Sequence, residues 1–226
     1  MEKSVAALQS AFSAPIWEGS RRRSAMDIAP GTVNPATRNE EALRFLLTRR
    51  SRPPKTLVDP APDRAALTEI LTAGLRVPDH GKLEPWRLIV LERPALERLA
   101  AAAGSYAEAH AIPERDAAKG VGQFAQSPLC VAIIAVPRPT DKVPAIEQTL
   151  SVGALGVSLV NAALAAGWGA GWLTGWVAHD LGFAGPALGL APGEWVAGYV
   201  HIGTETVAPP ERPRPDLATA VTWVSA

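Results

Sequence analysis

"QTLSVGALGVSLVNAALAAGWGAGWLTGWVA", residues Gln148 to Ala178, contains no Asp, Glu, Lys or Arg. A spanning helix needs about 20 apolar residues, so on length alone this stretch could cross a bilayer. Whether it is one span, or a buried helix followed by a buried strand, decides the fold. Three features favour the second reading. Gly167-Trp168-Gly169 with Gly171 interrupts the helical pattern, Gln148 and Asn161 are polar, and no basic cluster flanks either end. We therefore expect a helix from about Pro144 to Ala166 and a short extended segment at "GAGWLTG". The helix carries Gly153, Ala154, Gly156, Ser158, Ala162, Ala163, Ala165 and Ala166. Side chains that small let another backbone approach, which suits a helix crossing at the centre of the fold or of a dimer.

Outward from this stretch, helices and strands alternate. Asn39 can cap a helix "EEALRFLLTRR" whose Leu43, Leu46 and Leu47 share one face, giving a first core element before "SRPP" stops it. Asp63 can cap a second helix, with Ala66, Leu67, Ile70, Leu71 and Leu75 at helical spacing. A Pro-Asp-His-Gly turn follows, then the strand "WRLIVL" at 86 to 91. Pro94 opens a third helix and "PERDAAKGVGQFA" a fourth, before the strand "LCVAIIAV". "HDLGFAGPALGL" reads as a loop and weak helix, "EWVAGYVHIG" as a strand, and "PPERPRPD" as an extended tail ending in a last strand "AVTWVS". Helices packed on a sheet make the class α/β or α+β. Residues 1 to 38 lack sustained periodicity and read as a disordered extension before a domain at 39 to 226.

The totals remove several function classes. Twenty-two basic against 22 acidic side chains leave no net field for nucleic acid or an anionic membrane. Cys130, the lone cysteine, lies in an apolar run and packs as a small hydrophobe, which fits a cytoplasmic chain. The four histidines form no H-x-x-x-H pair, so no metal site is expected. No G-x-S-x-G nucleophile motif occurs, and "GWGAG" follows a helix where a dinucleotide fingerprint would follow a strand.

What remains is cationic and aromatic. Arg49 and Arg50 sit in a last helical turn, which the helix dipole favours, yet two guanidinium forks with the Ser51 hydroxyl also suit a phosphate. Asp79 and His80 are neighbours that seldom face each other. Trp86 and Trp172 lie beside turns where an indole can wall a flat ligand.

"RRSRPP", then "RVPDHGKLEPWRLIV", then "AALAAGWGAGWLTG" followed by "YVHIGTE", in that order, resemble the bacterial nitroreductase family of FMN-dependent oxidoreductases. The likeness is strongest to its small single-domain branch and covers about Glu40 to Val224. It implies an α+β homodimer of three layers, with a central mostly antiparallel sheet, flanking helices and a flavin at the interface between chains. It further implies that Arg49, Arg50 and Ser51 take the FMN phosphate and ribityl chain, that Arg76 and His80 contact the flavin, and that Trp172, Leu173 and Thr174 border it. Arg212 or Arg214 falls where relatives place a further phosphate-binding arginine. Residues Ala162, Ala163, Leu164, Ala165, Ala166 and Gly167 lie where NADH or NADPH binds.

The implied activity is ping-pong transfer: hydride from NAD(P)H to flavin N5, then electrons to a nitroaromatic, quinone or similar flat acceptor. Such chemistry needs no side-chain nucleophile, and Arg76 or Lys82 would favour the reduced flavin. Two other outcomes fit the same residues: a flavin-sequestering protein, and a flavin oxidase or dehydrogenase acting on a small metabolite. The chain departs from the family's turn at Asp79, Lys82 and Glu84, which replace Ser, Asn and Gln, and it has Leu173 where near relatives can carry arginine.

Overall fold

The computed structural model describes residues 28, 29 and 31–225. All seven residues of β3 (Leu129–Ala135) are buried, because layers cover both faces of this strand. Leu129, Val131, Ile133 and Ala135 join a core with α2 (Arg64–Gly74) and α5 (Ala145–Ala165). Cys130, Ala132 and Ile134 point the other way, into a core with α3 (Arg93–Ala109), α4 (Glu114–Ala125), α6 (Trp176–His179) and α7 (Leu181–Leu188). Alternate residues of a strand face opposite sides, so a continuous apolar run is the signature of a sheet buried twice.

β5 (Trp195–Glu205) is the strand the sheet is built around. On one side it pairs with β3, which pairs with β2 (Trp86–Leu91). Along its other edge it pairs first with β4 (Gly169–Leu173) and then with β1 (Leu57–Val58). Every pairing is antiparallel. The two-residue β1 carries no sequence signal, being shorter than any alternation that could reveal it.

The charge-free stretch divides as expected, into α5 and then β4. Val152, Leu155 and Leu159 of α5 belong to the core, and α5 meets α2 so closely that a Cβ on Gly74 would stand 2.4 Å from Leu159 Cδ2. Trp172 lies between two glycines: a Cβ on Gly156 would come within 2.9 Å of its indole, and one on Gly198 within 1.9 Å of Nε1. Gly198 has φ 152° at the point where the β3–β5 register shifts. Gly198→Ala therefore adds a clash to a backbone angle that L-residues avoid, and its expected cost is about 3 kcal/mol or more. Chemical denaturation of the variant checks this.

Two expectations need correction. Asn39 caps α1 (Glu40–Thr48) as read, its side chain accepting from Ala42 N at 3.0 Å, but the helix is no core element. Leu43, Leu46 and Leu47 are 43%, 57% and 60% exposed, because no other element among the described residues covers that face. "AVTWVS" forms no strand either: α8 (Leu217–Ala220) ends there and Trp223 is 91% exposed, so its apolar run gains no burial from pairing. The expected extension at 1 to 38 falls mostly outside the described residues. Residues 33–39, which are described, are exposed and carry no helix or strand. Val33 to Ala226 form one compact unit.

His201 is a costly buried group. It is fully buried on β5, neither ring nitrogen has a partner among the described residues, and burial holds its pKa down to about 3 from 6.5. Between those values the unfolded chain takes up a proton that the folded chain refuses, so stability falls as pH falls. The slope is about 1.4 kcal/mol per pH unit. His201→Leu removes both the unpaired nitrogens and this proton uptake. Melting curves at pH 6.5 and 4.5 should show a smaller drop for the variant than for the wild type.

Candidate functional site

Residues 49–55 run from the end of α1 along β4, pinned there by Arg52 N donating to Ala170 O at 2.8 Å. Gly171 is required at this crossing, since a Cβ on it would lie 2.3 Å from Arg52 O. The segment lines two hollows, one at each end.

At the first end, Arg49, Arg50 and Ser51 meet Glu211, Arg212 and Arg214 of the tail around a hollow of about 320 Å³. Arg50 donates to Pro210 O and Arg214 to Leu47 O, so the proline-rich tail folds back onto α1. Four guanidinium groups thus face one carboxylate. Arg49 donates to Ser51 Oγ at 3.2 Å, while its Nε is buried without a partner. Burial, then the charges of Arg52 and Arg50, push its pKa down. Arg52 is compensated by Glu205 at 2.5 Å, whereas Arg49, Arg50 and Arg212 have no ion-pair partner among the described residues. Uncompensated guanidinium forks beside a hydroxyl, with a buried N–H unpaired, are a receptacle for an oxyanion. Sequence left open which tail arginine takes part; both line the hollow.

At the second end, Pro53, Pro54 and Lys55 form one wall of the largest cavity, about 1000 Å³. Leu173, Thr174, Gly175 and Trp176 form another, and Asp116, Lys119, Gly120 and Gln123 of α4 a third. Trp176 Nε1 donates to Asp116 O at 2.8 Å, and Gly120 has no Cβ to keep the indole off the helix. Lys119 and Gln123 escaped the sequence reading because α4 reads as an ordinary amphipathic helix, and Lys55 because it follows two prolines in a short turn. Leu173 and Thr174 line this cavity, and the part-buried Trp172 packs against the core between its glycines.

Arg76 and His80 are held elsewhere. His80 Nδ1 is 2.6 Å from Glu147 Oε2 and Ser151 of α5 donates to Pro78 O, so the turn sits on the first half of α5. Gly81, Lys82 and Glu84 all have positive φ, a strained bend. The Asp79 carboxylate holds it by accepting from Leu83 N at 3.2 Å and Glu84 N at 2.8 Å, while Arg138 donates to the Leu83 and Glu84 carbonyls. Asp79 is thus spent on its own turn, which explains why a carboxylate suits the position. Asp79→Ala is expected to lower stability by about 1 to 2 kcal/mol, since two backbone donors lose their acceptor. A shift in the denaturation midpoint measures it.

Leu164 and Gly167, at the far end of α5, share a hollow with Phe45 and Arg49. From Glu147 to Leu164, a helix rising 1.5 Å per residue covers about 25 Å. Within one chain, His80 and Arg49 therefore lie at opposite ends of α5. Of residues 162–167, Ala163 is fully buried, and Ala165, Ala166 and Gly167 are exposed.

The model of the Nitroreductase family matches residues 46–204. "Putative NAD(P)H nitroreductase YdjA" of Escherichia coli (strain K12) is 31% identical over 164 residues, 73% of this chain and 88% of that protein. A "Putative NAD(P)H nitroreductase" of Haemophilus influenzae is 36% identical over 129 residues, 57% of this chain and 69% of that protein. The crystal structure of a nitroreductase-like protein from Bacillus cereus superposes with TM-score 0.69 at 21% identity, covering 85% of this chain and all of that one. A nitroreductase-like structure from Desulfovibrio desulfuricans, solved in complex with FMN, gives 0.65 at 21% identity, covering 84% of this chain and 99% of that one. The chain belongs to the Nitroreductase family and is an oxidoreductase.

Proposed function

We propose that the protein is an FMN-dependent NAD(P)H oxidoreductase that reduces a flat acceptor such as a nitroaromatic or quinone, and that it works as a homodimer. One observation carries the reading: a single segment, residues 49–55, joins a cationic hollow to the largest cavity. Ser51 and Pro54 are three residues apart, about 10 Å of extended chain, so a phosphate at one end and a ring at the other can belong to one ligand. The buried unpaired Nε of Arg49 is the group that such a phosphate satisfies.

When bound, the flavin supplies the redox chemistry, taking hydride from the nicotinamide and giving electrons to the acceptor. The protein's residues bind and orient. Arg49, Arg50, Ser51, Arg212 and Arg214 hold the phosphate; Leu173 and Thr174 border the ring; the exposed Ala165, Ala166 and Gly167 are the part of the 162–167 segment that can meet a nicotinamide dinucleotide. No side chain in the site need act as a nucleophile.

The second chain enters through distance. Arg76 and His80 can share a flavin with Arg49 only if they come from a partner, because about 25 Å of α5 separates them within one chain. The apolar residues left uncovered supply the contact: Leu43, Leu46 and Leu47 on α1, and Ile146, Leu150 and Val157 on α5. We assign the dimer to the cytoplasm, with NADH or NADPH as reductant.

The visible spectrum of freshly purified protein tests the reading, followed by anaerobic titration with each nicotinamide. The expected result is an oxidised-flavin band that NADH or NADPH bleaches within minutes. Colourless protein that takes up no FMN in calorimetry sinks the proposal. A bound flavin that neither nicotinamide reduces would leave a flavin-holding protein only.

A further inference from the structure

Aromatic rings run from the wall of the largest cavity to the surface. Trp176 lines the cavity, and its indole stacks with Tyr106 of α3, ring centres 5.9 Å apart and planes 14° from parallel. Phe183, itself buried, packs at an angle against both, 5.6 Å from Tyr106 and 5.2 Å from Trp176. The exposed His110 stacks on Tyr106 at 3.8 Å, which brings the series to solvent. Packing accounts for the rings. It does not account for their polar ends.

The two ends differ in what they can do with a proton. Trp176 Nε1 donates to the Asp116 carbonyl at 2.8 Å, a backbone acceptor that cannot take the proton away. The Tyr106 hydroxyl donates to a carboxylate, Asp180 Oδ1, at 3.0 Å. The same oxygen accepts from Gly182 N at 2.9 Å and Phe183 N at 3.3 Å, which fixes it at the start of α7. A phenol that has lost an electron is a strong acid, so a tyrosine with a carboxylate on its hydroxyl gives up electron and proton together. It is then a lower resting place for an electron vacancy than an indole whose proton has nowhere to go. The chain has two tyrosines, and the other lacks such an acceptor: Tyr199 is fully buried, with its hydroxyl on the Val177 carbonyl at 3.0 Å.

We propose that Trp176 and Tyr106 form a one-electron relay that carries an oxidising equivalent from the cavity to the surface, with Asp180 as its proton acceptor. A one-electron oxidant in the cavity takes an electron from Trp176. The indole radical cation takes one in turn from Tyr106, whose hydroxyl proton moves to Asp180, leaving a neutral tyrosyl radical. A thiolate in solution then returns one electron to Tyr106, becoming a thiyl radical, and the proton comes back from Asp180. The net change is one electron passed from thiolate to oxidant, with the protein restored. The relay needs no contact between these side chains and a flavin, and it stands whichever ligand fills the cavity.

Pulse radiolysis in azide solution tests it, because the azidyl radical oxidises tryptophan in preference to tyrosine. Full-length protein carrying Trp223→Phe is the background, since Trp223 is 91% exposed and competes for the radical. Tryptophanyl absorbance should decay into tyrosyl absorbance in a first-order phase whose rate is independent of protein concentration. Adding Tyr106→Phe, which removes only a hydroxyl from the stack, should abolish the tyrosyl product, and Trp176→Phe should abolish the concentration-independent phase. Asp180→Asn keeps an acceptor of the same size but no base, and should slow the conversion. A background trace without that phase overturns the relay, as does a tyrosyl product that persists in Tyr106→Phe or a conversion that survives Trp176→Phe. An unchanged rate in Asp180→Asn overturns the proton assignment. Should Tyr106→Phe fail to melt cooperatively, Tyr199→Phe takes its place: it should leave the tyrosyl product intact, and loss of the product there overturns the relay.

Discussion

Replacing Arg49 and Arg50 together with alanine should empty the protein of flavin. Each guanidinium bond to a phosphate contributes about 1.5 to 3 kcal/mol, so losing two weakens binding by about 3 to 6 kcal/mol, a factor of roughly 10² to 10⁴. Lysine at both positions should recover only part of it, since an ammonium keeps the charge but not the fork. The flavin-free protein should respond in the opposite sense. Arg49 sits among like charges, its pKa pushed down by burial and by Arg52 and Arg50, so without a phosphate it is a source of repulsion. Arg49→Met, which keeps the apolar stem, should melt no lower than wild type when both lack flavin. A double alanine variant that purifies fully yellow would show that the arginine hollow is not the phosphate site.

Charging the outer face of α5 should break the proposed dimer and the site together. Leu150 and Val157 are exposed on that helix, and a Cβ on Gly153, between them in sequence, would meet nothing within 4 Å. Leu150→Asp with Val157→Asp would place unpaired carboxylates in an apolar contact, where each costs several kcal/mol. Sedimentation should report a monomer. Flavin affinity should fall about a hundredfold or more, because Arg76 and His80 of the partner leave with it and charge-assisted contacts contribute about 1.5 to 3 kcal/mol each. A monomer that still holds flavin tightly would refute the shared site, and a variant that remains dimeric would place the interface on another face.

The alternation of helix and strand was legible because both periods are local. Trp86 to Leu91 and Leu129 to Ala135 read directly as strands, and Asn39 and Asp63 cap the helices they precede. The Arg49-Arg50-Ser51 cluster was legible as chemistry, though a helix dipole explained the same arginines equally well. The other half of the cluster lies 160 residues away, where the tail brings Arg212 and Arg214 to the same hollow. No local pattern reports a contact at that separation.

The misreadings have the same origin. Leu43, Leu46 and Leu47 form the apolar face the sequence indicates, but an apolar face does not state whether its cover is the same chain. Trp172 stands beside a turn, and only Gly156 and Gly198, from two other elements, show where its indole packs. Gln123 has no distinguishing neighbour in sequence, and only the fold brings its amide to Thr174 at the cavity wall.

Read alone, the chain determined helices packed on a sheet, a long small-residue helix and a cationic helix end, since each depends on residues within a few positions of one another. Tertiary structure alone decided that one short segment serves two hollows, that the tail completes the first, and that the bend bearing His80 lies too far off to share a ligand with Arg49 in the same chain. Those are distances between remote residues, set by how whole layers pack, and they are encoded in no single stretch.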